Sequence, residues 1–251
     1  MIDIHKITIS RSQLDAIPDD ERKLLVLIAH AANELNIFAK LFHFSAGGCS
    51  DNPILKNAEK AQTFALGRVL TGKIYECWNL LQVAFFKRPA LSRTYISRFD
   101  QEAEKALKDV KQYFGKGSLI SKVRNKHAFH YSLDQIDAGY HALGEGDSLD
   151  IYLSKNCANR LYVFGESIAG RAMLETIMVG DAEGALRRLI DDTSKMVSLI
   201  NIVIGEIIEI CINTHLGGTL YTLGAQVIEI EAPSSQDVII PYFIEIERTE
   251  E

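Results

Sequence analysis

Cysteine is sparse and scattered in this chain. Its four cysteines, Cys49, Cys77, Cys157 and Cys211, form no CxxC pair, which removes zinc-ribbon and thioredoxin-like readings. Free thiols in a reducing compartment, hence a cytoplasmic location, fit that spacing. Proline is scarce as well, at 5 residues, while 47% of the chain is hydrophobic and 24% charged. Such a composition excludes a wholly disordered chain and can fill a sizeable core. No basic segment followed by an apolar run stands at Met1–Lys6, so no signal peptide is expected. The most apolar stretch, Met196 to Ile212, is interrupted by Glu206 and Glu209. It is shorter than a bilayer-spanning helix needs, so it reads as a buried core helix and no membrane association is expected.

Excess positive charge is also missing, since the chain carries a net −6. That excludes a protein coating nucleic acid non-specifically. The distribution says more than the total. Between Lys87 and Lys126 eleven Lys and Arg face four acids, a net +7, which leaves −13 for the remainder. A basic segment in an acidic protein fits one localised anionic contact, although a solvated helix face would look the same.

What is present is mostly helical periodicity. Residues 2–9 alternate around Ile2, Ile4, Ile7 and Ile9 like a short strand. Leu24, Leu25, Ile28, Leu35, Phe38 and Phe42 recur at helical spacing up to Gly47-Gly48, and a longer helical pattern runs from Pro53 to Pro89. A third helix is expected over Ser92–Phe114, and Ser118 has the character of the N-cap of a fourth. Leu133–Leu143 extends that helix or forms another. Leu149–Leu153 and Leu161–Phe164 read as a hairpin, Ile168–Val179 as helix and Glu183–Asn213 as a last long helix. The tail carries two β-rich runs, Val227–Ile230 and Val238–Ile246, around Pro233-Ser234-Ser235. These read as a C-terminal hairpin able to pair with the N-terminal strand. The expectation is one mainly α domain over 1–251, with a helical core at 18–143 and accessory hairpin, long helix and β-rich tail at 144–251.

Chemistry concentrates in Lys122-Val123-Arg124-Asn125-Lys126-His127-Ala128-Phe129-His130-Tyr131. On an ideal helix Arg124 and His127 share a face. Arg124 and His130 lie about 120° apart around the axis and about 9 Å apart along it. They cannot meet on one small substrate atom from a single straight helix. Two copies across a symmetric interface could bring such groups into one cleft, so the spacing favours a composite homodimer site. Histidine can move a proton near neutral pH, as cleavage of RNA at a 2′-hydroxyl requires. Arginine offers a planar fork to phosphate oxygens, and Asn125 can orient either group. No carboxylate cluster accompanies them, so no metal is demanded, and nothing calls for a cofactor.

Arg124-Asn125 followed by His130, on a helix late in a helical array, resembles the Arg-polar…His motif of the HEPN superfamily. The trailing Phe129-His130-Tyr131 is similar to bacterial HEPN proteins. The resemblance spans about Pro18 to Leu143. It implies an antiparallel helical bundle, homodimerisation and metal-independent RNA endonuclease activity in toxin–antitoxin or phage-defence systems. Cleavage would leave 2′,3′-cyclic phosphate ends. Arg124, Asn125 and His130 would be catalytic, with Lys122, Lys126, His127 and Tyr131 binding substrate. The alternative is a non-catalytic dimeric module that binds a protein such as an antitoxin, a nucleotide or RNA.

Three other signals are weak. Gly165…Gly170 has P-loop spacing, but Arg171 and Ala172 replace the required Lys and Ser/Thr. Gly165-Glu166-Ser167-Ile168-Ala169 lacks the second glycine of a nucleophile elbow. His127 and His130 lack the neighbouring ligands that would complete a metal set. Trp78 and Phe85-Phe86 read as core.

Overall fold

The computed structural model describes residues 1–48, 50–129, 133–218, 223 and 225–245. Among these the protein is mainly α, with nine α-helices and two small two-stranded sheets. The chain order is β1 (Ile2–Lys6), α1 (Arg11–Ala16), α2 (Asp19–Ala46), α3 (Pro53–Leu80), a π-helical segment (Leu81–Phe86), α4 (Pro89–Ile96) and α5 (Gln101–Gly115). Then come α6 (Leu119–Val123), a π-helical turn (Arg124–Ala128), α7 (Leu133–His141), β2 (Ile151–Tyr152), a 3₁₀ turn (Cys157–Asn159), β3 (Leu161–Tyr162), α8 (Val163–Ile177), α9 (Ala182–His215) and β4 (Gln226–Ile230).

These elements form two compact units, each discontinuous in sequence. The first comprises Met1–Asn36, Lys73–Lys116 and Lys195–Ser234, and the second Ile37–Gly72, Gly117–Ser194 and Ser235–Glu251. Helices α2, α3 and α9 each contribute to both.

In the first unit the apolar repeats of α2 and α9 supply Leu24, Ile28, Leu35, Ile200, Val203 and Ile207, all buried. Trp78 stacks on Phe114 with ring centroids 5.1 Å apart, and Phe85 meets Tyr95 edge-on. The segment expected as one helix over Ser92–Phe114 is two. Asp100 ends the link after α4 by accepting the Ala103 N–H at 2.7 Å, which starts α5. A short polar side chain bonded in this way favours a helix start over a helix interior. Pro89 likewise opens α4, where its missing N–H costs nothing.

The terminal strands pair antiparallel, from Ile2 opposite Ile230 to Lys6 opposite Gln226. The expected C-terminal hairpin is corrected here, because Val238–Glu245 is not a strand. Pro241 offers no N–H to a ladder. Asn159 also takes the backbone of Ile244 for itself, accepting its N–H at 3.0 Å and donating to its carbonyl at 2.6 Å.

The second unit has its core around Phe42, Phe64, Leu70, Ile120, Val123, Met173 and Leu189. The mid-chain hairpin forms as expected, with Ile151 opposite Tyr162 and Tyr152 opposite Leu161. Tyr152, Tyr242 and Phe243 cover the cluster of Ala58, Ala61, Leu161 and Val163. Helix α8 starts five residues before the expected Ile168, directly from β3.

Helices α2 and α9 have the length and composition to cross a bilayer, so the expectation drawn from Met196–Ile212 alone was too short: α9 runs for 34 residues. Half of the most apolar stretch of α9 is buried within the protein, and 22% of that of α2.

Candidate functional site

The motif is positioned from its N-terminal side by α6. Ser118 Oγ accepts the Ser121 N–H at 3.1 Å, as its N-cap character predicts. Leu119, Ile120 and Val123 then bury one side of this short helix. After Val123 the backbone widens into the π-helical turn Arg124–Ala128. Such single π turns inside helices recur at functional sites, because the wider loop re-aims side chains.

That re-aiming corrects the expectation that Arg124 and His127 share an α-helical face. Arg124 is half-buried, and its Nη1 donates to Asn125 Oδ1 at 3.2 Å. Asn125, Lys122 and Lys126 are exposed. His127 turns instead to α8, where its Nε2 lies 2.9 Å from Thr176 Oγ1. Thr176 already donates its hydroxyl proton to the Ala172 carbonyl at 3.1 Å, so His127 Nε2–H is the donor. Burial, with the charges of Lys126 and Arg68 adding to it, pulls the His127 pKa down to about 4. Near neutral pH this imidazole is uncharged, with Nδ1 left as its acceptor. His130 and Tyr131 lie outside the described residues.

A cavity of about 680 Å³ opens beside the turn, lined by Arg68, Lys126, His127, Phe129, Leu133 and Glu166 among others. Its size is that of a ligand pocket. Arg68 Nη2 binds the Glu166 carboxylate at 2.8 Å and 3.1 Å. Its Nη1 is buried and has no hydrogen-bond partner among the described residues. A buried donor of this kind is costly when left unmatched, so an acceptor entering the cavity would be stabilised there. Arg68 and Glu166 are missing from the sequence-based candidates because no local pattern marks them: 98 positions separate them.

An apolar stripe borders the same turn. Phe129 is 50% exposed, Leu133 88%, Ile136 41% and Tyr140 61%. On α7 the last three point within about 60° of one another. Gly139 faces elsewhere and is buried against α8, where a Cβ would strike the Ile168 carbonyl oxygen.

The weaker sequence signals resolve into structure. Gly165–Ala172 lies inside α8. Arg171 grips Asp147 through Nε at 3.1 Å and Nη2 at 2.9 Å. Burial works to raise the Asp147 pKa, but Arg171, the Gly144 N–H and Lys60 together hold it below the usual carboxylate range. Ser167 is buried and donates to the Ser148 carbonyl, so it is no exposed nucleophile. No protein-family model, curated protein or solved structure matches this chain.

Proposed function

We propose that this protein is a HEPN-like, metal-independent RNA endonuclease acting through a site composed by two copies of the chain. The observation that carries the reading is the apolar stripe Phe129, Leu133, Ile136 and Tyr140 standing uncovered beside the polar turn of Arg124 and Asn125. Aromatic and aliphatic side chains flanking a charged motif are what a symmetric interface needs to bring two motifs together.

In this reading His130 serves as the general acid and base. Arg124 holds the phosphate and stabilises the charge that develops on it, and Asn125, already bonded to Arg124, orients that pair. Lys122 and Lys126 contact neighbouring phosphates, and Tyr131 contributes to binding. The 2′-hydroxyl attacks the adjacent phosphorus as His130 takes its proton, and the 5′-oxygen leaves with a proton, giving a 2′,3′-cyclic phosphate. Lys122 and Lys126, exposed in the same unit as the Arg124 turn, add positive potential, so binding weakens with salt. The reading takes 18–143 as the HEPN-like helical core. The setting is cytoplasmic, in toxin–antitoxin or phage defence, with an antitoxin as the candidate protein partner.

A second reading, a non-catalytic dimeric module, is favoured by one observation: His127 is uncharged and committed to Thr176 within its own subunit. Paired measurements separate the two. Leu133→Glu with Tyr140→Glu should give a folded monomer by light scattering that no longer cleaves RNA. A variant that stays dimeric, or that cleaves as a monomer, contradicts the composite site. A wild-type dimer that binds RNA and leaves it intact supports the module.

A further inference from the structure

The first compact unit brings three metal-ligating side chains of different chemistry to one point. Cys211 and His215 stand four residues apart on α9, about 40° around the axis and about 6 Å along it, so they share a face. Glu21, in the first turn of α2, faces them. One ligand atom from each, the Cys211 sulfur, a His215 ring nitrogen and a Glu21 carboxylate oxygen, lies within 4.8 Å of the other two. Cys211 is buried, and Glu21 and His215 are half-buried.

The group is already bonded together. His215 Nε2 is 2.9 Å from Glu21 Oε2. The Tyr95 hydroxyl on α4 donates to the same oxygen and contacts the Cys211 sulfur. A cavity of about 730 Å³ reaches Glu21, Tyr95 and His215, and its wall includes Arg88 and Arg98.

We propose that Glu21, Cys211 and His215 form a binding site for a divalent transition ion, Zn²⁺ by its chemistry, that clamps α2 to α9. The donor set decides the ion. Thiolate, imidazole and carboxylate together suit Zn²⁺, whereas Mg²⁺ and Ca²⁺ take oxygen ligands. Ligands roughly 2.0–2.3 Å from a tetrahedral ion stand about 3.4 Å from one another. The His215–Glu21 spacing of 2.9 Å and the 4.8 Å within which all three ligand atoms lie are of that order. The Cys211 thiol loses its proton to water as the sulfur–metal bond forms. The proton on His215 Nε2 passes through water to Nδ1, so the neutral ring binds the ion through Nε2. Tyr95 keeps its bond to Glu21 and orients the carboxylate, as partners of metal ligands do. The fourth position faces the cavity and takes water or a small anion, with Arg88 and Arg98 supplying positive charge there.

Three protein ligands with one open position is the arrangement of zinc sites that can exchange a ligand. The site belongs to the first unit and the Arg124 turn to the second, and the proposal stands whether or not the protein cleaves RNA.

The test is titration of metal-stripped, tag-free protein with Co²⁺ alone. One equivalent should bring up visible bands of tetrahedral strength and a thiolate-to-cobalt charge-transfer band. Added Zn²⁺ should bleach both. Cys211→Ser should lose the charge-transfer band, while Cys157→Ser should keep it. Glu21→Gln, which preserves side-chain shape, should bind Co²⁺ more weakly with unchanged circular dichroism, and it covers the case in which Cys211→Ser does not fold. Absence of the charge-transfer band at saturating Co²⁺, or its survival in Cys211→Ser, would overturn the proposal. Glu21, Tyr95 and His215 would then be a polar network joining helices.

Discussion

His127 carries a pH dependence whose sign is set by its surroundings. The folded imidazole resists protonation until about pH 4, against an ordinary value of 6.5. Between those values the unfolded chain binds a proton that the folded chain does not, so stability falls as pH drops through the window. Urea unfolding at pH 7, 5.5 and 4.5 should show the decline. His127→Gln, which can still donate to Thr176, should flatten it, and an unchanged slope would place the effect elsewhere. Gly72 and Gly139 make an instructive pair of the same residue type. A Cβ on Gly72 would meet the outer atoms of the Phe129 ring, which is half exposed and can swing away. A Cβ on Gly139 would meet the Ile168 backbone carbonyl, which cannot. Gly72→Ala should therefore leave stability within about 1 kcal/mol, helped by helix propensity. Gly139→Ala should cost about 1–3 kcal/mol by overpacking. Denaturant midpoints of the two variants check the contrast.

At the scale of elements, what could be read in advance is what local chemistry decides. Ser118 has a hydroxyl to offer a helix start, and the apolar spacing of Leu24 to Phe42 outlines α2 whatever lies around it. The break at Asp100 is legible only after choosing between a helix-interior acid and an N-cap, a choice that periodicity does not make. The π turn at Arg124–Ala128 leaves no local trace, since it follows the buried Val123 without any change in residue spacing. The tail misleads for a similar reason. Val238–Ile240 has strand composition, yet Asn159 and the Tyr152 ring, both distant in sequence, fix Pro241–Glu245 as an irregular segment. Lys126 and His127 are readable as candidates, but the Arg68–Glu166 pair beside them is set by tertiary packing alone. Breaking that pair by Glu166→Gln should move the His127 pKa little, since burial dominates its shift. It should also leave Arg68 without its carboxylate, at about 1–3 kcal/mol of stability in urea unfolding.

Across the whole molecule, the proposal requires two copies. One chain offers one Arg124–Asn125 pair and one uncovered stripe on α7, and dimerisation answers both. Cleavage should then fall on dilution below the dimer dissociation constant, more steeply than in proportion to protein. Subunits carrying Arg124→Ala, mixed with wild type, should depress activity beyond simple averaging. Raising salt should weaken RNA binding more than dimerisation, since phosphate contacts release counterions and an apolar interface does not. The metal site makes a separate demand: stripping the ion should loosen α2 from α9 without removing Arg124 from its turn.

The decisive measurement is end-group analysis of a mixed RNA pool incubated in EDTA with wild-type protein or with His130→Ala, both shown to be folded by circular dichroism. The account predicts 2′,3′-cyclic phosphate ends from the wild type and uncut RNA from the variant. Equal cleavage by both proteins, or none by a wild-type dimer that binds the RNA, would contradict it.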